Sequence, residues 1–112
     1  MKRGVEAEAM AAAFLERQGL TILARNYRCR LGEIDLIARD REATVFVEVR
    51  SRASAAFGGA AASITAAKRQ RLLKAARHYI SRQRSVPQCR FDALLIEGDP
   101  PRIEWLRDAF GE

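Results

Sequence analysis

The sequence predicts an α/β fold with about five strands and two helices in one domain spanning residues 1–112. Three observations support this prediction. Two segments repeat apolar residues with helical periodicity, and five shorter segments are rich in residues that favour strands. Glycine or proline separates several of these segments. With 48% hydrophobic residues in 112, the chain is long enough to bury a core and short enough for one domain.

The first helix is predicted over residues 5–18. Its apolar residues, among them Phe14 and Leu15, fall on one arc at about 100° per residue, and Gly19 supplies a stop signal. Glu8 lies at the rim of this apolar arc. The helix is therefore expected to pack on the rest of the domain with Glu8 at the edge of the contact.

Three strands are predicted next, at residues 20–27, 33–40 and 43–52. In the second strand, one face of the sheet is expected to carry Ile34, Leu36 and Ala38. The opposite face is expected to carry Glu33, Asp35 and Ile37. The third strand alternates in the same way, with Val45, Val47 and Val49 opposed to Phe46, Glu48, Arg50 and Arg52. Each strand thus carries its carboxylates on a single face.

The connection between the second and third strands determines how their carboxylates meet. If they form a hairpin that turns at Arg41 and Glu42, Asp35 lies directly opposite Glu48, with Cβ atoms about 4.5–5.5 Å apart. A two-residue turn usually contains Gly or Asn, and this one contains neither. Carboxylates at this distance repel each other unless a proton, a cationic side chain or a metal compensates.

A divalent metal would meet this need. Mg²⁺, or Mn²⁺ in its place, binds through one or two carboxylates and keeps waters and phosphate oxygens as its other ligands. Such an ion can hold a scissile phosphate and lower the pKa of an attacking water in phosphodiester hydrolysis. The alternative is that Asp35 and Glu48 are exposed residues in weak ion pairs with neighbouring arginines.

A strongly basic helix is predicted over residues 65–83, after a loop of small residues at 51–63. Residues 65–84 contain seven basic and no acidic residues, so the rest of the chain carries a net charge of −1 within the total of +6. Such a surface attracts a nucleic-acid backbone without reading its sequence, the alternative being an ordinary solvated helix face. Six residues are assigned to nucleic-acid binding: Arg52, Lys68, Arg69, Arg71, Lys74 and Arg77. Lys68 and Arg69 are expected nearest to the scissile phosphates, and the last three in an outer stripe.

The remaining features favour structural roles. Two more strands are predicted at 89–97 and 102–106, separated by Pro100-Pro101. Trp105 and Phe110 are expected in the core or in a subunit contact, and His78 at the surface or the core edge. Cys29 and Cys89 match no metal-binding spacing. The chain has no apolar run long enough for a membrane span and no signal-peptide pattern at its start, which predicts a cytoplasmic protein.

Five segments together carry a family resemblance: "GEIDLIARD", "VFVEVRSR", "AAKRQRL", "RFDALLI" and "DAF". Over nearly the whole chain they resemble the bacterial YraN-like family of uncharacterised proteins. That family is similar to archaeal Holliday-junction resolvases and to the PD-(D/E)xK nucleases. The resemblance implies a restriction-endonuclease-like core, which is a mixed sheet flanked by helices. It also implies a Mg²⁺-dependent endonuclease acting on nucleic acid, with DNA favoured over RNA but RNA still open, and the similarity to resolvases extends this to branched DNA. A homodimer would suit a two-fold symmetric substrate.

The resemblance also implies roles for individual residues. Asp35 and Glu48 would be the metal ligands, and Glu8 matches a glutamate of the first helix that reaches toward the metal. Arg50 takes the position of the motif's lysine. A lysine can lose its proton to orient or deprotonate water, whereas a guanidinium stays protonated and can only donate hydrogen bonds, for example to a phosphate. Glu33 is either a neighbour of this site or an ordinary exposed glutamate.

Three functions therefore remain open from the sequence. The first is a metal-dependent nuclease. The second is a nucleic-acid-binding module that keeps the nuclease fold with little or no cleavage, because Arg50 replaces the lysine. The third is an interaction protein whose basic helix binds an acidic partner or a membrane surface, a role that does not require paired carboxylates.

Overall fold

A computed structural model describes residues 3–52 and 65–109, with side chains described from 6 to 51 and from 65 to 109. The elements follow in the order α1 (Arg3–Arg17), β1 (Thr21–Cys29), β2 (Gly32–Asp40), β3 (Ala43–Arg52), α2 (Ala66–Ser81), β4 (Gln88–Glu97) and β5 (Arg102–Leu106). The predicted α/β class and its seven elements are confirmed. The loop predicted at 51–63, beyond the end of β3, and Phe110 lie outside the described residues. No helix in the described part is long and apolar enough to cross a membrane.

The five strands form one mixed sheet in the order β1-β2-β3-β4-β5. Neighbouring strands are antiparallel except for β3 and β4, which are parallel. Parallel neighbours require a crossover connection, and α2 lies in the one that joins β3 to β4. The predicted mixed sheet flanked by helices is confirmed, and this arrangement is consistent with a restriction-endonuclease-like core.

Each helix covers one face of the sheet with its own apolar cluster. The α1 cluster joins Ala11 and Leu15 of the helix to sheet residues that include the three valines of β3. The α2 cluster joins Leu72 and Ala76 to residues that include Phe46. The predicted alternation of β3 is thus confirmed, since its valines face α1 and Phe46 faces α2.

The second strand departs from its predicted alternation. Ile34 packs in the α2 cluster, whereas Leu36 and Ala38 pack in the α1 cluster. The prediction that these three share one face is therefore wrong. The change of face falls at Asp35, and Asn26, its neighbour across the β1–β2 register, has φ 51°. Asn is among the few residues that tolerate this left-handed conformation, and such an irregularity redirects the adjacent side chains.

The β2–β3 hairpin has the predicted register. Asp40 pairs with Ala43 across a two-residue turn, and the ladder continues to the pair of Leu36 and Val47. Arg41 adopts φ 57° in this turn, a conformation that Gly or Asn adopts more readily. The register follows instead from burial, because a shift by one residue would move the apolar side chains of both strands to the wrong faces.

The β1–β2 hairpin approaches α2 closely at Gly32. A Cβ atom on Gly32 would lie 2.2 Å from the carbonyl oxygen of Arg71, so a larger residue would force the hairpin and the helix apart. A hydrogen bond of 2.5 Å between the Tyr27 hydroxyl and His78 Nδ1 provides a second link between β1 and α2. His78 thus lies at the core edge, as predicted.

The start of β4 is joined to the chain after β5 through the buried carboxylate of Asp92. It accepts hydrogen bonds from Arg90 Nε at 3.0 Å, Trp105 Nε1 at 2.9 Å and the Asp108 backbone N–H at 2.9 Å. Arg90 also binds Asp40 at 2.9 Å. Trp105 is half-buried and packs against the α1 cluster, and Asp92 holds β4 and β5 together.

Candidate active site

Asp35 lies where the β2–β3 ladder ends. The last regular pair joins Leu36 to Val47, and Asp35 is the next residue along β2. Its Oδ2 accepts a hydrogen bond of 2.8 Å from the Val49 backbone N–H. A side-chain carboxylate thus serves as the acceptor for β3 at the point where the two strands separate, and this holds Asp35 in place.

Glu48 of β3 meets Asp35 at this point. Its side chain is 11% exposed, and its carboxyl group hydrogen-bonds the carboxyl group of Asp35. On its other side, Arg50 Nη2 donates a hydrogen bond of 2.6 Å to Glu48 Oε2. Asp35 and Glu48 are therefore brought together as the register predicts, and Arg50 neutralises part of their charge.

A third carboxyl group reaches Asp35 from α1. The side chain of Glu8 hydrogen-bonds both Asp35 and Asn26. Burial raises the pKa of Glu8, and the charge of Asp35 raises it further, against the opposing effect of the hydrogen bond from Asn26. Sequence reasoning missed Asn26. The available signal was an asparagine inside a strand, where a left-handed residue marks an irregularity.

The carboxylates of Asp35 and Glu48 face the first half of α2 across a small cleft of about 80 Å³. Its lining residues are Glu33, Asp35, Glu48, Arg50, Lys68 and Arg71. Lys68 lies at the cleft, as expected, but Arg71 lines it in place of Arg69. The reason is helical spacing, because residues three apart share one side of a helix. Glu33 is a neighbour of the site.

The other predicted basic residues lie elsewhere. Arg69, Lys74 and Arg77 are exposed on α2 and do not line the cleft. The side chain of Arg52 lies outside the described residues. Within the cleft, Nε of Arg50 is buried and has no hydrogen-bond partner among the described residues. Because a buried donor without an acceptor is costly, this nitrogen favours an anionic ligand.

The environment of Glu48 keeps its carboxyl group protonated near neutral pH. Burial raises the pKa of Glu48 most, and the hydrogen bond with Asp35 and the charge of Asp35 raise it further. Arg50 opposes these effects, and the pKa reaches about 8. The proton on Glu48 thus supplies the positive charge that two adjacent carboxylates require.

A bound divalent cation would supply that charge in place of the proton. No three His, Cys, Asp or Glu side chains among residues 6–51 and 65–109 form a ready set of metal ligands. Mg²⁺, however, commonly takes only one or two protein carboxylates together with waters and phosphate oxygens. Asp35 and Glu48 form such a pair of hard oxygen donors, so the residues present fit Mg²⁺, with Glu8 as a further carboxylate beside Asp35.

This arrangement predicts an unusual pH dependence of stability in metal-free buffer. The pKa of Glu48 is about 8 in the folded chain against 4.5 ordinarily, so folding binds a proton between these values. The contribution of Glu48 to the free energy of unfolding should therefore be highest below pH 4.5. It should fall by a few kcal/mol as the pH rises to about 8.

Urea denaturation in EDTA at several pH values between 5 and 9 checks this prediction, with Glu48→Gln as the matched variant that cannot ionise. The stability of the natural chain relative to this variant should decrease as the pH rises. Parallel profiles for the two proteins would contradict the assignment of the proton to Glu48.

Comparison with known proteins places this site within a family. The model of a family described as "Uncharacterised protein family UPF0102" matches residues 7–96. A UPF0102 protein of Nitrosomonas europaea is 59% identical over 111 residues, covering 98% of this chain and 94% of the relative. A UPF0102 protein of Paracidovorax citrulli is 60% identical, covering 96% and 81%. One from Methylobacillus flagellatus is 56% identical, covering 96% and 95%. These descriptions state no activity.

Proposed function

The chain belongs to UPF0102, the YraN-like family of uncharacterised bacterial proteins, and from this premise we propose that it is a nucleic-acid-binding, Mg²⁺-dependent, endonuclease-like protein acting on DNA phosphodiesters. One observation carries the proposal. Asp35 and Glu48 touch in a cleft that also contains Arg50, Lys68 and Arg71. A protein that only docked its basic helix on an acidic partner would gain nothing from burying two adjacent carboxyl groups, one of which must then take up a proton.

The cationic side of the cleft suits a phosphate group. Lys68 and Arg71 approach from α2, and within the described part of the chain the buried Nε of Arg50 lacks an acceptor. The first turn of α2 contains no acidic residue, although acidic residues are favoured at a helix N-terminus. Placing Lys68 and Arg69 there costs some stability, and it supports a role in attracting an anion from solution.

The proposed reaction is the addition of water to a phosphodiester, which breaks one P–O bond and leaves a phosphate monoester and a hydroxyl group. Mg²⁺ held by Asp35 and Glu48 would supply charge neutralisation and a water of lowered pKa. Arg50 would hold a phosphate oxygen, because a guanidinium cannot remove a proton from water. Glu8 would accept that proton, and its raised pKa and its contact to Asp35 support this role.

A second candidate function is a nucleic-acid-binding module with little or no cleavage. The ion pair between Arg50 and Glu48, at 2.6 Å, favours it because Arg50 competes with a metal for Glu48 Oε2. The absence of lysine at position 50 favours it further. The two candidates differ in cleavage and agree in binding, so cleavage decides between them.

Arg50→Lys tests the choice. Restoring a lysine should raise Mg²⁺- or Mn²⁺-dependent cleavage about tenfold or more, since lysine can both hold a phosphate and orient water. Labelled single-stranded, duplex and four-way-junction DNA would be incubated with metal or EDTA and resolved on denaturing gels. Arg39→Lys, an exposed arginine of β2 outside the cleft, is the matched control and should leave the rate unchanged.

The outcomes separate the candidates. Metal-dependent cleavage by the natural chain, raised in Arg50→Lys, supports the nuclease. If neither protein cleaves while both bind DNA with strong salt dependence, the binding module replaces it. A chain that neither binds nor cleaves any of these DNAs contradicts both.

A further inference from the structure

A second groove runs along the β1–β2 hairpin and opens beside the cleft. Its volume is about 370 Å³, and its lining includes Arg28, Cys29, Arg30, Leu31, Glu33 and Arg71. Glu33 and Arg71 also line the cleft that contains the paired carboxylates. A ligand in this groove would therefore continue directly into the cleft through Arg71.

The two walls of the groove are held at a set distance. One wall is the end of the β1–β2 hairpin, and the other is α2 at Arg71. The backbone of Gly32 packs against the carbonyl of Arg71 so closely that no Cβ would fit between them. The hydrogen bond between Tyr27 and His78 ties the same hairpin to α2 further along. The groove is thus formed before any ligand binds.

The lining combines positive charge with an exposed apolar side chain. Three arginines face one carboxylate, Glu33, whose contact with Arg28 is long at 3.5 Å and exposed to solvent, so it contributes little to stability. Leu31, at the hairpin tip, is 50% exposed. An apolar surface between guanidinium groups suits a nucleotide, whose base stacks through its faces while its phosphate binds arginine.

We propose that this groove binds one unpaired nucleotide of a DNA strand whose adjacent phosphate lies in the carboxylate cleft. The inference rests on the proposed function and names its substrate class, which is DNA with a single-stranded or splayed nucleotide next to the bound phosphate. A volume near 370 Å³ is at the lower end for ligand pockets and suits one nucleotide. A base within a duplex is stacked and turned inward, so it cannot enter without being flipped out.

The test measures binding in EDTA, where no cleavage occurs. Fluorescence anisotropy compares a blunt duplex with the same duplex carrying a single-stranded tail, and with a tailed duplex whose first unpaired nucleotide is abasic. The abasic DNA keeps the same number of phosphates, so it isolates the base. The natural chain should bind the tailed duplex about tenfold more tightly than the blunt one, and the abasic change should remove about fivefold of that gain.

Leu31→Ser should weaken binding of the tailed duplex about fivefold and leave the blunt duplex within about twofold. Leu23→Ser is the matched control, because Leu23 is an exposed leucine of β1 that does not line the groove. Both variants alter exposed side chains, and thermal unfolding confirms that they are folded.

Each result has a definite meaning. Equal affinity for tailed, abasic and blunt DNA, or equal behaviour of the two leucine variants, overturns the nucleotide pocket. If the pocket is overturned in this way while metal-dependent cleavage is observed, the proposed function stands without the pocket. A preference for the tailed duplex without cleavage by the natural chain or Arg50→Lys supports the pocket and removes the nuclease. The absence of all DNA binding overturns both.

Discussion

Asp35→Asn should reduce Mg²⁺-dependent cleavage about 100-fold or more and weaken Mn²⁺ binding about tenfold or more. Asn has nearly the shape of Asp and can still accept the hydrogen bond from the Val49 backbone N–H. It lacks the negative charge that a divalent cation requires. The variant should therefore stay folded while its metal affinity falls, and this separates a metal ligand from a residue that only stabilises the fold.

Mn²⁺ titration followed by electron paramagnetic resonance measures the affinity, and the junction and duplex cleavage assays measure the activity. Glu16→Gln, which removes one carboxylate from the exposed side of α1, controls for the change in net charge. If Asp35→Asn bound Mn²⁺ as tightly as the natural chain, the metal assignment would have to be abandoned. If Asp35→Asn lost no more Mn²⁺ affinity than Glu16→Gln, the loss would reflect the change in net charge alone.

Asp92→Asn should lower the free energy of unfolding by about 3–5 kcal/mol. Both oxygens of Asp92 accept from N–H donors, Oδ1 from the Asp108 backbone and Oδ2 from Trp105 Nε1. Either orientation of an amide would place its NH₂ group against one of these donors. The substitution also removes the buried negative charge of Asp92 that Arg90 faces, and Arg90 then keeps its ion pair with Asp40.

Urea denaturation provides the measurement, with Glu104→Gln as the control because Glu104 is an exposed carboxylate on neighbouring β5. The control should change the unfolding free energy by less than about 0.5 kcal/mol. Below its transition, folded Asp92→Asn should bind Mn²⁺ like the natural chain, since Asp92 does not line the cleft. A loss of less than about 1 kcal/mol would show that the network contributes little.

Asp35 and Asp92 have different roles, although both lie in segments that carry the family resemblance. Asp35 of "GEIDLIARD" lies at the carboxylate cleft, whereas Asp92 of "RFDALLI" and Asp108 of "DAF" meet each other in the network that joins β4 to the chain after β5. A sequence motif alone does not distinguish them, because both are aspartates in or beside strands. Burial and hydrogen-bond partners make the distinction.

The strands and helices were predictable because local patterns dominate them. The third and fifth strands have the predicted bounds, 43–52 and 102–106, and the ends of the other elements lie within two residues of the predicted ones. Alternation over β3 was regular, and the hairpin register followed from the apolar residues that both strands had to bury. That register was sufficient to predict that Asp35 and Glu48 meet.

The composition of the cleft was predictable only in part. The choice of Arg71 over Arg69 depended on how α2 is rotated against the sheet, which a broad apolar arc does not specify. The contact of Asn26 with Glu8 required the irregularity in β1, which has no regular periodicity. Both features arise between elements that are distant in the chain.

The sequence by itself determined the α/β class, the faces of β3, the basic character of α2 and the pairing of Asp35 with Glu48. These follow from periodicity and charge, which each segment carries locally. Only the tertiary structure decided that Ile34 and Leu36 face opposite layers, that Gly32 must be glycine against α2, and that Glu48 holds a proton near neutral pH. Each of these depends on burial and on close approach by another element, and no single segment encodes its own neighbours.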